Sequence, residues 1–310
     1  MMSDKSFLRE LGFLLHRFIA AVPLLAWCYL GFCRSVASRL SPLRRQQLLN
    51  SMASVRWPDS VLCPQRVRLG VATWARMYPH NGEFDFAAVL GGQLRYEEEV
   101  FDFLDQRLSN YDLVIEIGAN AGVFTLFMAL KLAQSGGEVM SFEPSARAYA
   151  RLMQNVSAND LQNVTLFNAA VSDVTTFAMF HEPEGHLTNG SLMKSFANQF
   201  SSRLKAAPVL AIDAAKLNDL VKPGLRLLIK IDVEGFEAPV LKALKPVIET
   251  HHPDILLEVL SEFADQIEDS VKIAAPGYWR YAVTSHGLVK QKALQAHASR
   301  DCFLSMKDTP

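Results

Sequence analysis

Two acidic residues and two glycines near the middle of the chain have the types and spacing to hold a positively charged ligand. In the run V-I-E-I-G-A-N-A-G-V-F, Val114 to Phe124, Glu116 stands two positions before Gly118, and Asn120 and Gly122 complete the turn. Glycine lets a backbone turn tightly and approach a ligand where a Cβ would collide. A carboxylate just ahead of it repels a pyrophosphate and attracts an ammonium or a sulfonium. The spacing also lacks the third glycine of the dinucleotide fingerprint G-x-G-x-x-G. A second acid, Glu143, closes V-M-S-F-E-P, Val139 to Pro144, 25 positions after Gly118. There α/β cofactor folds place a carboxylate that accepts both ribose hydroxyls. Pro144 is expected to open the next helix.

A third segment, N-A-A-V-S-D from Asn168 to Asp173, is read as the end of the third strand, where small Ala170 and polar Ser172 leave room for a flat adenine and bond to its edge. Each signal has a plainer structural explanation: a tight connection, an acid favoured at a helix start, a Ser/Asp turn. Two correctly spaced acids with a glycine turn are harder to explain by folding alone. S-adenosylmethionine carries both an ammonium and a sulfonium, and is the cofactor expected.

The reacting partner would meet Asp232-Val233-Glu234-Gly235-Phe236-Glu237, where a buried strand delivers Asp232 to the crevice that Gly118 faces. Asp232 and Glu234 share strand parity, so both are placed toward a substrate, to accept a hydroxyl proton or to hold the acceptor. The alternative is that they cap the helix beginning near Phe236. His181, His186, Asn189 and Ser191 lie in an irregular segment, His181 to Leu192, read as a lid or as solvated loop polars. Asp232, Glu234 and Glu258 lack a defined ligand spacing, and no metal site is expected.

These motifs, in this order, resemble the FkbM family of methyltransferases: E-I-G-A-N-A-G at Glu116–Gly122, F-E-P at Phe142–Pro144, A-V-S-D at Ala170–Asp173 and I-K-I-D-V-E-G-F-E at Ile229–Glu237. The resemblance runs from about Tyr96 to Val259, with Glu116 where many members have Asp. It implies a class I methyltransferase fold that moves a methyl group from S-adenosylmethionine to a hydroxyl oxygen, often on a sugar or a polyketide-like metabolite. The rivals are a nicotinamide-dependent oxidoreductase, which Glu116 and the missing glycine oppose, and a non-catalytic membrane-associated scaffold.

The elements that must position these residues alternate. Short apolar runs at Leu113–Ile117, Glu138–Phe142, Val164–Phe167, Leu225–Ile231 and Ile255–Val259 are separated by longer amphipathic ones. That alternation predicts an α/β fold with a doubly wound, mostly parallel sheet. Leu113-Val114-Ile115 and Leu227-Leu228-Ile229 are apolar on consecutive residues, as central strands covered on both faces must be. Ahead of the sheet, Tyr96–Leu108 is expected to be helical. The division expected is a helical arm over 1–56, an irregular lead-in with short strands over 57–94, and a methyltransferase domain over 95–310.

With 31 basic and 32 acidic residues the net charge is -1, which provides no field to hold a nucleic acid and leaves a small molecule or glycan as the partner. Cys28, Cys33, Cys63 and Cys302 have neither zinc spacing nor the density of a disulfide scaffold, so a reducing, cytoplasmic setting is expected. Phe18 to Cys33 is a run of 16 uncharged residues containing Pro23, short for a membrane span. It fits a secretory signal poorly, because Arg34 interrupts the cleavage-like Ser35-Val36-Ala37. Two readings stay open: a buried helix packed on the catalytic domain, or peripheral contact through residues 11–45 with the cytoplasmic face of a membrane, helped by Arg34, Arg39, Arg44 and Arg45.

Overall fold

Prolines set where two of the first helices begin, because a residue at the first turn needs no N–H partner. The computed structural model describes residues 15–83, 85–295, 300–308 and 310. Helix α1 covers 15–20. Pro23 then starts α2 (Pro23–Ala37) and Pro42 starts α3 (Pro42–Ala53). The part of the arm before residue 15 lies outside the described residues. A small sheet follows, in the order β2 (Thr73–Met77), β1 (Gln65–Leu69), β3 (Gln93–Leu94), with α4 (Asp85–Gly91) between β2 and β3 in sequence. Alternation sets its faces: Val67 and Leu69, like Ala75 and Met77, turn inward.

The chain divides into two compact units, one up to Tyr96 and one from Glu97 onward. In the first, Ala26, Leu30, Cys33 and Ala37 of α2 share one apolar cluster with Leu49, Met52, Trp57, Val61, Leu62, Phe86 and Leu90. Arm and lead-in therefore share a core, and α2 is half-buried rather than enclosed. No helix among the described residues is long and apolar enough to cross a membrane.

The second unit runs through α5 (Glu98–Arg107), β4 (Leu113–Ile117), α6 (Val123–Leu132), β5 (Glu138–Phe142), α7 (Ala146–Ala158), β6 (Val164–Phe167), β7 (Ala170–Ser172), β8 (Thr176–Pro183), α8 (Lys194–Ala197), β9 (Leu204–Asp213) and β10 (Leu227–Ile231). It ends with α9 (Glu237–Ala243), α10 (Lys245–His251), β11 (Asp254–Glu258), α11 (Ala264–Ala274), β12 (Trp279–Thr284), β13 (Gly287–Gln291) and β14 (Asp301–Ser305). Eight strands pair in the order β13-β12-β14-β11-β10-β4-β5-β6. The five from β11 to β6 are parallel, and β14 inserts antiparallel between β11 and β12. This is the doubly wound α/β sheet expected, and every residue of β4 and β10 is buried. At their amino ends Arg226 fastens the pair through its N–H and guanidinium to Asp112 at 2.6–3.0 Å.

Three local expectations are corrected. The third strand stops at Phe167; Ala170–Ser172 forms β7 in a separate sheet, β7-β9-β8. Asn168 explains the break, since its side-chain amide donates to the carbonyls of Glu143 and Pro144 and turns the chain away. The helix after Glu143 starts at Ala146, capped by Ser145, whose hydroxyl accepts from the Ala148 N–H, so Pro144 lies outside it. His181 sits in β8, and the irregular segment begins only after Pro183, its base closed by paired backbone bonds between His181 and Ser191.

Gly31 lies inside α2 with nothing within 4 Å of the position a Cβ would take. Gly31→Ala is expected to stabilise the first unit by about 0.5–1 kcal/mol, from helix propensity alone. Denaturant unfolding checks this; a loss of stability would show that the position is not the open helical site described.

Candidate active site

β4 and β10 are neighbours whose onward connections run to opposite sides of the sheet, so a crevice opens beyond their carboxyl ends. The Asp232 N–H donates to the Ile117 carbonyl at 2.9 Å, and the N–H groups of Gly118 and Ala119 both donate to the Phe142 carbonyl, at 2.9 and 3.0 Å. Three strand ends are thereby tied at one point. Gly118 has φ +95°, and a Cβ there would lie 1.7 Å from the Asp232 carbonyl oxygen. Gly122, at φ +88°, precedes α6. Between them Asn120 adopts φ +50° and accepts the Ala121 N–H on its own side-chain oxygen, a conformation Asn tolerates better than most residues.

Glu143 is buried at the end of β5. Its Oε2 accepts the Asn120 N–H at 2.8 Å and its Oε1 the Ser145 N–H at 2.7 Å. Burial raises its pKa to about 7, against those two N–H bonds, and Glu182 adds to the rise. Glu182, from β8, accepts from the Ser145 hydroxyl. Glu116 is 1% exposed; its Oε2 accepts from the hydroxyls of Ser141, at 2.8 Å, and Thr125. Burial lifts Glu116 to about 7 as well, opposed by the Lys230 charge and the two hydroxyls. It stands beneath the turn, under α6. Ala170 and Ser172 are both buried in β7, and the Ser172 hydroxyl donates to Asp173 at 3.1 Å.

Lys230, 2% exposed on β10, was not singled out from the sequence. Its Nζ donates to Asp232 Oδ2 at 2.8 Å and lies 4.5 Å from the centre of the Phe124 ring. Burial opposes the charge on Lys230, but Asp232, Glu116, Glu97 and Asp301 together outweigh it and hold the ammonium protonated. A lysine inside the apolar run L-L-I-K-I was the available signal, since a strand buried on both faces has no solvated place for it.

Strand β10 stops at Ile231, so strand parity does not relate Asp232 to Glu234. Glu234 instead adopts φ +54°. Neither residue caps α9 through a side-chain bond to its first turn. Glu237 holds the connection, its Oε1 accepting the N–H groups of Val233 and Gly235, each at 3.1 Å. Around Asp232 gather Glu234, Glu258 at the end of β11 and Asp301 at the start of β14. All three have pKa values pushed well above the carboxylate range, by burial first and then by neighbouring charges that include Asp232. Among the described residues no group of three or more His, Cys, Asp and Glu side chains is arranged to hold a metal ion.

A glycine turn, a buried acid after β5 and an acid after β10, on this strand order, define a doubly wound methyltransferase. Residues 116–287, more than half of the chain, match the family described as the methyltransferase FkbM domain, and the chain belongs to that family. It is 25% identical over 170 residues to Methyltransferase 1 of Beauveria bassiana, covering 50% of this chain and 66% of that protein. It is 26% identical over 180 residues to Methyltransferase sdnD of Sordaria araneosa, covering 50% and 67%. The chain thus spans about two thirds of the length of these relatives. Among solved structures it is similar to the FkbM methyltransferase of Methylobacillus flagellatus KT, with a TM-score of 0.39, 15% identity, and 91% of this chain and 58% of that one covered. A SAM-dependent O-methyltransferase of Thermotoga maritima gives a TM-score of 0.37 and 14% identity, with 68% and 66% covered.

S-adenosylmethionine is the cofactor that goes with this family, and the residues present fit it. A side chain at Gly118 would fill the approach to the β10 end. Each Glu143 oxygen accepts one backbone N–H and keeps a lone pair for a hydroxyl.

Two expectations follow. Gly118→Ala forces both a collision and a left-handed alanine, and is expected to cost about 2–4 kcal/mol of stability in denaturant unfolding; a cost below about 0.5 kcal/mol would mean the strand ends are not tied as described. Glu116 and Glu143 have folded pKa values raised from 4.5 to about 7. An acid raised on folding binds more protons in the native state, so its contribution is full below the unfolded value and is lost as pH rises through the folded one. The melting temperature of the cofactor-free protein is therefore expected to fall between about pH 5 and pH 8, with a shallower slope in Glu258→Gln, which removes one raised acid. An equal slope in the variant would contradict the burial of Glu258.

Proposed function

We propose that the chain transfers the methyl group of S-adenosylmethionine to a hydroxyl oxygen of a small molecule, a sugar or glycan or a secondary metabolite, in the cytoplasm where that cofactor is supplied. The observation that carries this reading is the place of Asp232: its backbone lies against Gly118 and its carboxylate, 21% exposed, is fixed in direction by Lys230. A carboxylate at that point is within the crevice where a cofactor and an acceptor meet.

The bound cofactor supplies an electrophilic methyl carbon. The rest falls to the chain's own residues. Methyl transfer is an in-line displacement, so alignment of the acceptor oxygen supplies much of the acceleration. Asp232 accepts the hydroxyl proton as the oxygen loses it, and Glu234, kept protonated by its burial among acids, donates a hydrogen bond that holds the acceptor. Glu143, Pro144, Asn120 and the glycines Gly118 and Gly122 form the cofactor side. Ala170 and Ser172 line its adenine end. Glu116 acts from beneath the turn, where burial opposes its ionised form and Lys230 and the Thr125 and Ser141 hydroxyls favour it.

Calorimetric titration with S-adenosylmethionine, S-adenosylhomocysteine and NAD tests the reading. The first two are expected to bind and NAD not to; binding of none would leave a scaffold with a methyltransferase fold. Glu143→Ala is expected to lower cofactor affinity at least about tenfold, whereas Asp232→Asn keeps that affinity and loses about 100-fold or more in methyl transfer to a hydroxyl acceptor. Equal loss of cofactor affinity in both variants would refute this division of roles.

A further inference from the structure

The polarity of α2 is inverted relative to a helix that meets water. Its inward face carries Ala26, Leu30, Cys33 and Ala37, at helical spacing and buried. The opposite face, centred on Leu24, Cys28, Gly31, Phe32 and Ser35, carries no charged residue. Leu24 is 72% exposed, Phe32 64% and Trp27, on its flank, 59%. Phe18 of α1 and Leu43 of α3 extend the apolar exposure, at 68% and 70%. Isolated exposed apolar side chains are ordinary, but a run of large ones on the solvent side of one helix is the mark of an interaction surface.

The charge around this surface favours one occupant. From Leu11 to Pro58 the sequence has no acidic residue and six arginines, in a protein whose net charge is -1. Of these, Arg39 follows the end of α2 and Arg44 stands in the first turn of α3, and both are exposed. An apolar helix face flanked by arginines, in a stretch of sequence without acidic residues, complements a layer of anionic phosphate headgroups over acyl chains. It is a poor match for a second copy of itself, which would bring arginines against arginines. With no described helix long and apolar enough to cross a membrane, the contact is peripheral.

The geometry points to the outer face of α2 as a membrane-docking surface, lying in the headgroup region of an anionic bilayer with Leu24, Trp27 and Phe32 inserted and Arg39 and Arg44 on lipid phosphates. This concerns the first unit alone and goes beyond the methyl transfer proposed above.

Vesicle flotation of the full-length chain tests it, with phosphatidylcholine vesicles and with mixed phosphatidylcholine–phosphatidylglycerol vesicles. The chain is expected to float with the mixed vesicles and much less with phosphatidylcholine alone. The double variant Leu24→Glu, Phe32→Glu, altered only at exposed positions, is expected to lose about tenfold or more in partitioning with its melting temperature and cofactor binding unchanged. The milder Leu24→Ser, Phe32→Ser keeps the test valid should the charged pair disturb folding. Arg39→Gln, Arg44→Gln is expected to weaken binding to the mixed vesicles only. Failure to float with either vesicle, or equal flotation of the folded serine variant, overturns the inference. So does a dimer in light scattering that the serine variant converts to monomer, which would assign the face to a second copy.

Discussion

A single buried ammonium ties together the elements of the second unit. Lys230 sits in a strand buried at every residue, and removing its charge from water costs several kcal/mol unless partners compensate. Its direct partner is Asp232, with Glu116, Glu97 and Asp301 contributing at longer range and the Phe124 ring presenting its face. Those four acids come from four separate places: the residue before α5, β4, the connection just after β10, and the start of β14. The charge therefore couples elements remote in sequence, and it does so beside the crevice. Truncating either member of the Lys230–Asp232 pair would leave the other charge buried without its closest partner, which is a larger loss than the worth of the pair.

Backbone geometry supplies the second constraint. Gly118 and the Asp232 carbonyl occupy space that a side chain would need, and Glu143 satisfies two N–H groups, those of Asn120 and Ser145. The carboxylate that is proposed to meet ribose hydroxyls is thus also what holds the Asn120 turn in its left-handed conformation. In that proposal binding and folding share the same atoms. The rise in the Glu143 pKa to about 7 reflects that burial, and two backbone donors moderate it.

The central sheet was legible because its strands are apolar on consecutive residues, a pattern that only strands covered on both faces produce. β4 and β10 fall where those runs fall. The β7-β9-β8 sheet was not legible, because its two long strands, β8 and β9, are only partly covered: Phe177 is 79% exposed and most of β9 is half-buried or open. No clean alternation survives on such strands. The glycine turn and the acids around it are marked by their spacing, whereas the partnership of Lys230 with Asp232 is signalled only by a lysine within L-L-I-K-I. Glu258 and Asp301 join the cluster through the pairing of β11 with β14, a long-range register that local patterns do not encode. Glu182 reaches Ser145 for the same kind of reason, by way of β8, whose sequence reads as loop from His181 onward.

The connection after β10 shows where folding and chemistry part. Glu237 takes the N–H groups of Val233 and Gly235, so the turn is satisfied without Glu234. Glu234 nonetheless adopts a left-handed conformation, which costs a non-glycine residue about 1 kcal/mol. Its carboxyl group is also turned into a nest of acids, where ionisation is opposed first by burial and then by Asp232. A glycine would relieve the backbone, and a glutamine would relieve the charge. Neither stability nor helix capping explains a glutamate at that point. A carboxyl group kept protonated beside a carboxylate pinned by a lysine is, in contrast, a donor next to an acceptor. That combination suits a hydroxyl group, which offers one proton and two lone pairs.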